Sequence, residues 1–121
     1  MKIKKLDCNF SVCKVQDYSK VNFNSEYLFL GKTDEENSLV CITKDIPPET
    51  IEHDDNWMAF KIAGVLDFSL IGILSGISTL LAENNIGIFA VSTYNTDYIF
   101  TKEENFAKAL NVLKNAGYEI I

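Results

Sequence analysis

A chain of 121 residues, 47% hydrophobic and 12% aromatic, suits one compact folded unit or two very small ones sharing a core. Its net charge of -6, with no basic stripe, excludes nucleic acid as a partner, because phosphates would be repelled. Every basic residue is lysine, so a bound anion must be held by an ammonium or by backbone N–H groups, never by a bidentate guanidinium.

The N-terminal MKIKKLDCNF has no long apolar core after its lysines, so it is not a signal peptide. Cys8, Cys13 and Cys41 are odd in number and irregular in spacing. They form no disulfide framework and read as reduced, small buried hydrophobes of a cytoplasmic protein. KKLDCNFSVCKV alternates, with Leu6, Cys8, Phe10 and Val12 on one parity, and predicts a strand. DYSKVNFNSE has room for a turn or one to two helical turns. YLFLGKTDEENSLVCITKDI predicts a hairpin, with strands from Tyr27 to Leu30 and Leu39 to Thr43. Pro47-Pro48 stops regular structure. Residues 47–56, with Glu49, Glu52, Asp54 and Asp55, read as a solvated acidic linker that fixes no metal ligands.

WMAFKIAGVL, residues 57–66, predicts a strand with Met58, Phe60 and Ile62 on one face. Asp67, or else Ser69, offers an N-cap. Leu70, Ile73, Leu74, Ile77, Leu80 and Leu81 then make a helical stripe. Gly72, Ser75, Gly76 and Thr79 lie beside it, where small residues admit another backbone. The apolar run from Phe68 to Ala82 is too short and too polar to span a bilayer, so no membrane partner is expected. Asn84-Asn85 ends the helix. IGIFAVST, residues 86–93, predicts a buried central strand, and TDYIFT its hairpin partner. Thr101 to Glu104 has the form of a capping box before a helix carrying Phe106, Leu110 and Leu113. Ala116-Gly117 ends that helix, and Tyr118 to Ile121 is a last short strand.

From residue 57 the order is β-α-β-β-α-β, the ferredoxin-like α+β pattern. The expected division is 1–56, a degenerate N-terminal copy, and 57–121, a complete one.

These residues carry a family resemblance. Trp57, the strand ending at Gly64, the Asp67-to-Gly72-Ile73-Leu74 helix entry, Ile86 to Phe89, and Ser92-Thr93 with Asp97-Tyr98 resemble the ACT domain. The whole chain is similar to small bacterial tandem-ACT proteins, to the regulatory ACT pair of aspartokinases and to CASTOR-type arginine sensors. The resemblance implies a non-catalytic regulatory module that binds a small ligand, an amino acid, at an interface between ACT domains. It implies a homodimer, a regulated protein partner and no cofactor. Ligand contacts would come from Asp67, Phe68, Ser69 and Leu70 in the first loop and from Gly72 and Ile73 at the helix entry. A helix N-terminus there presents unpaired N–H groups to a carboxylate. Ser92, Thr93, Tyr94, Asn95 and Asp97 match the Ser-Thr-Phe-Asn-x-Asp stretch of the arginine sensors, with Tyr94 in place of Phe. Asp97 would pair with a ligand ammonium or guanidinium, worth roughly 1.5–3 kcal/mol per charge-assisted bond.

The same residues have structural readings. Asn95-Thr96-Asp97 is good turn chemistry, and Ser92 and Thr93 suit a strand end. An alternative function is a ligand-free protein–protein interaction or dimerisation module. No catalytic set assembles from the sequence: His53 is the single histidine, and Cys41 is the one nucleophile that could be named beside it.

Overall fold

The computed structural model describes residues 1–64 and 71–121. In chain order its elements are β1 (Lys2–Lys5), β2 (Phe10–Val15), β3 (Leu28–Lys32), β4 (Asn37–Ile42), a short 3-10 turn (Thr43–Asp45), β5 (Glu52–Ile62), α1 (Ile73–Glu83), β6 (Ile88–Ser92), β7 (Asp97–Lys102), α2 (Glu103–Asn115) and β8 (Glu119–Ile120). They form two compact units. The smaller is Cys8–Trp57; the larger joins Met1–Asp7 to Met58–Ile121. β5 contributes residues to both.

In the larger unit the strands neighbour one another in the order β8-β1-β5-β7-β6. From Met58 onward the element order is the expected β-α-β-β-α-β. The addition is β1. It pairs antiparallel with β5, Ile3 opposite Ile62, and parallel with β8, Ile3 opposite Ile120. Residues 1–7 therefore group with Met58–Ile121 and not with the stretch that directly follows them. KIKK has a single apolar residue, so no periodicity marks its destination. Ile3 nevertheless is fully buried.

Met58, Phe60 and Ile62 of β5 share the core face, as their alternation requires. Phe60 and Ile62 join Ile3, Ile99, Ile77 and Leu81 of α1, and Phe106, Ala109 and Leu113 of α2 in one cluster. Fully burying a large aliphatic or aromatic side chain is worth about 1.5–3 kcal/mol. That gain holds two helices whose outer faces are polar or small. Both helices end in the same way. Asn85 (φ 59°) donates to Ala82 and Ile86 to Leu81; Gly117 (φ 102°) donates to Lys114 and Tyr118 to Leu113. This pair of bonds satisfies the last carbonyls and requires a left-handed residue, which Asn and Gly supply.

The helix starts differ from expectation. α1 begins at Ile73 with Gly72 (φ 81°) as its N-cap residue; the expected caps Asp67 and Ser69 lie outside the described residues. The capping box at Thr101 is not formed. Lys102 is the N-cap residue of α2, and the Thr101 hydroxyl donates to the Lys102 carbonyl instead. Glu103 and Glu104 still place negative charge in the first turn, where the helix dipole favours it. The apolar run at 86–93 is not a central strand. β6 starts at Ile88 and pairs with β7 alone among the described strands, so β7 is the inner one. The run is apolar for separate reasons: Ile86 seals the end of α1, Ile88 packs on the core, and Phe89 stacks on Phe100 with ring centroids 4.5 Å apart.

The smaller unit is all antiparallel, in the order β3-β4-β2-β5. It contains no α-helix. One core cluster of this unit consists of Cys13, Val15, Leu39 and Cys41, covered by Tyr18, Val21, Leu28 and Ile46. The strand expected across KKLDCNFSVCKV is broken at Leu6–Asn9 into β1 and β2, and Cys13 and Val15, on the parity opposite to Phe10 and Val12, face this core. The polar stretch 47–56 is only half linker. Glu52–Asn56 belongs to β5 because β2 pairs with it, Cys13 opposite His53 and Lys14 opposite Glu52. The ladder slips where Phe10 faces Trp57 and Val12 faces Asp54. Ser11 alone thus opposes Asp55 and Asn56, a β-bulge, and Asn56 takes φ 67° to make it.

Candidate functional site

The predicted site lies in the larger unit, at the sheet edge where β5 and β6 end and β7 begins. Antiparallel pairing of β6 with β7 brings Ser92 opposite Asp97, the last pair of the hairpin. The Ser92 hydroxyl donates to Asp97 Oδ1 at 2.5 Å. The next residue, Thr93, closes the turn. Its N–H donates to the Thr96 carbonyl at 2.8 Å, and its hydroxyl donates to the same oxygen at 3.0 Å. Thr96 points inward and its hydroxyl donates to the Ile62 carbonyl at 2.7 Å. This bond fixes the hairpin tip against the end of β5, beside the departure of the loop that leads to α1.

The structure therefore gathers Ser92, Thr93 and Asp97 at one edge. Tyr94 is 81% exposed at the tip. Gly72 and Ile73 form the N-terminus of α1, with Ile73 half-buried against the core. Asp67, Phe68, Ser69 and Leu70 lie outside the described residues. Sequence reasoning missed Thr96, which is 5% exposed and holds the tip in place. A turn position gives no hint that its hydroxyl faces inward.

A polar network in the smaller unit also escaped the sequence. Asp55 Oδ1 accepts from the Ser11 hydroxyl at 2.6 Å and lies 2.8 Å from His53 Nδ1. Ser11, fully buried, also shares a 3.0 Å bond with the Thr43 hydroxyl. The hydrogen bond and charge of Asp55 raise the His53 pKa above the ordinary imidazole value. The pairing of Cys41 with His53 does not form. His53 Nδ1 engages Asp55, while Cys41 Sγ lies 3.9 Å from Cys13 Sγ. The Cys13 contact, followed by burial, pushes the Cys41 thiol pKa upward, the reverse of what a nucleophile needs. Among the described residues no group of three or more His, Cys, Asp or Glu could hold a metal ion, and no helix is long and apolar enough to cross a membrane.

The Ser92–Asp97 hairpin sits on a βαββαβ unit, and the comparisons agree with that fold. The family model of the ACT domain matches residues 52–115. The chain belongs to the ACT domain family, whose members are regulatory, ligand-binding modules rather than catalysts. Among solved structures, a protein from Agobacterium tumefaciens is similar at 27% identity, with a TM-score of 0.87 over 99% of this chain and 91% of that chain. A Vibrio cholerae protein of unknown function is 18% identical, with a TM-score of 0.77 over 93% and 86%. The regulatory subunit of aspartate kinase from Thermus thermophilus is 11% identical, with a TM-score of 0.67 over 97% of each chain. The last two show likeness of fold alone. No curated protein matches the chain.

Proposed function

We propose that this protein is a non-catalytic regulatory module of the cytoplasm that binds an amino acid at an interface between ACT units, as a homodimer. The smaller unit is then a reduced ACT-like copy that keeps its strands and has lost its helices. The observation that carries the reading is the Ser92–Asp97 pair. It sets a carboxylate at the sheet edge where β5 hands over to α1, against a tip anchored by Thr96. A ligand ammonium would meet Asp97, and its carboxylate the N–H groups at the start of α1, without any arginine.

A thermal-shift screen against the twenty amino acids tests it. A ligand at 100 times its Kd stabilises by about 2.7 kcal/mol, a rise of roughly 5–10 °C for a chain of this size. One selective shift supports the reading. A flat response with a dimer in solution supports the second reading, a docking module. That second reading rests on the exposure of Tyr94 and of Ile71, 90% exposed just before α1, and on Ser92 already occupying Asp97.

A further inference from the structure

The smaller unit brings two thiols together under a cover that contains no α-helix. Cys13 of β2 and Cys41 of β4 are 2% and 1% exposed, with their sulfurs 3.9 Å apart. They are two of the four buried residues in that unit's core cluster. In the larger unit two helices cover the corresponding core. Here the cover is Tyr18 and Val21 from a segment of turns, Leu28 from the outermost strand, and Ile46 after the 3-10 turn. Of this cover only Leu28 lies in a ladder; the segment carrying Tyr18 and Val21 has neither helix nor ladder hydrogen bonds, the kind of structure that opens locally while the rest of a fold persists.

We infer that Cys13 and Cys41 are a redox modification site, which peroxide-class oxidants convert to a reversible intramolecular disulfide. Opening of the 16–27 segment admits the oxidant. The Cys13 thiolate attacks a peroxide oxygen; an S–O bond forms, the O–O bond breaks, and the sulfur loses two electrons to the departing hydroxide. The Cys41 sulfur then attacks the Cys13 sulfenic acid. The S–S bond forms, the S–O bond breaks, and the hydroxide leaves with the Cys41 proton as water. Overall, two thiols and one hydrogen peroxide give one disulfide and two waters. Cys13 is the first to react because the contact with Cys41 lowers its thiol pKa.

The ladder also sets the character of the bond. Cys13 stands opposite Leu39, and Cys41 opposite Ser11. The two are diagonal neighbours, so closure from 3.9 Å must draw β2 and β4 together. A bond of about 2.0 Å made that way is strained, and a strained disulfide is readily reduced again. A buried pair without such a cover, or thiols on distant strands, would support no such cycle.

The test uses the full chain treated with hydrogen peroxide and then denatured with a thiol-blocking maleimide. The expected result is a loss of about two mass units, one thiol labelled instead of three, and a tryptic cross-link between the 6–14 peptide and the Cys41 peptide, with fragmentation placing the bond on Cys13 and the maleimide on Cys8. Dithiothreitol restores three labelled thiols. A Cys8→Ser variant forms the same link, which removes Cys8 as a participant without touching the pair. A gain of about 32 mass units at either cysteine, a cross-link through Cys8, or three free thiols after treatment would each overturn the proposal. Because the readout is made on the unsubstituted protein, it does not depend on Cys13→Ser or Cys41→Ser folding.

Discussion

The Thr96 hydroxyl and the Ile62 carbonyl meet at 2.7 Å in a buried bond that ties the hairpin tip to the end of β5. Thr96→Val keeps the shape and removes the donor. It leaves the Ile62 carbonyl without its side-chain partner, at a cost of about 1–3 kcal/mol. Urea unfolding of the variant should show a lower midpoint with an unchanged m-value. An unchanged midpoint would mean that the bond contributes nothing.

Asp97→Asn separates ligand binding from folding. An amide oxygen can still accept the Ser92 hydroxyl, so the melting temperature should move little. The charge is gone, so affinity for an amino acid found in the screen should fall about tenfold or more. Calorimetric titration of both proteins decides it. Equal loss of stability and affinity would assign Asp97 to the turn alone.

The His53–Asp55 pair predicts a pH trend. Its folded pKa is raised, first through the hydrogen bond to Asp55 and then through that carboxylate's charge. The group therefore binds its proton more tightly folded than unfolded. Its contribution is fully present below the unfolded value, near 6.5, and is lost as pH rises through the folded pKa. The side chain is exposed, so the effect is small. His53 is the only histidine, so His53→Asn should flatten the melting temperature between about pH 5.5 and 8.5. An identical slope in the variant would place the titration elsewhere.

Asn56 holds the bulge at φ 67°. Asn56→Gly should leave stability within a few tenths of a kcal/mol. Asn56→Ala, which suits that region poorly, should cost about 1–2 kcal/mol. Thermal melts of the two variants side by side test this, and equal melting points would mean that the bulge relaxes.

Much of the larger unit was legible because its signals are local. Met58, Phe60 and Ile62 alternate, Ile77 and Leu81 repeat at four, and Asn85 and Gly117 stop their helices. The place of β6 was not legible, since an apolar run looks alike on an inner and an outer strand. Nor was β1, whose partners β5 and β8 are both distant in sequence. At the candidate site, Ser92 and Asp97 were singled out by motif. Their bond to each other, and the inward turn of Thr96, depend on register, which no single segment encodes. The link between Ser11, Thr43 and Asp55 joins three strands or turns and is invisible for the same reason.

The insertion of β1 between β5 and β8 gives the chain an order of completion. As the chain emerges from a ribosome, all of Cys8–Trp57 is available to fold while the larger unit is still being made. Ile3 emerges early, yet its neighbour Ile120 emerges long after it. Until then β1 is an unpaired edge with one apolar side chain and three lysines, a composition that resists pairing with the wrong strand. The lysines that obscured this strand in the sequence would thus act as its protection during synthesis.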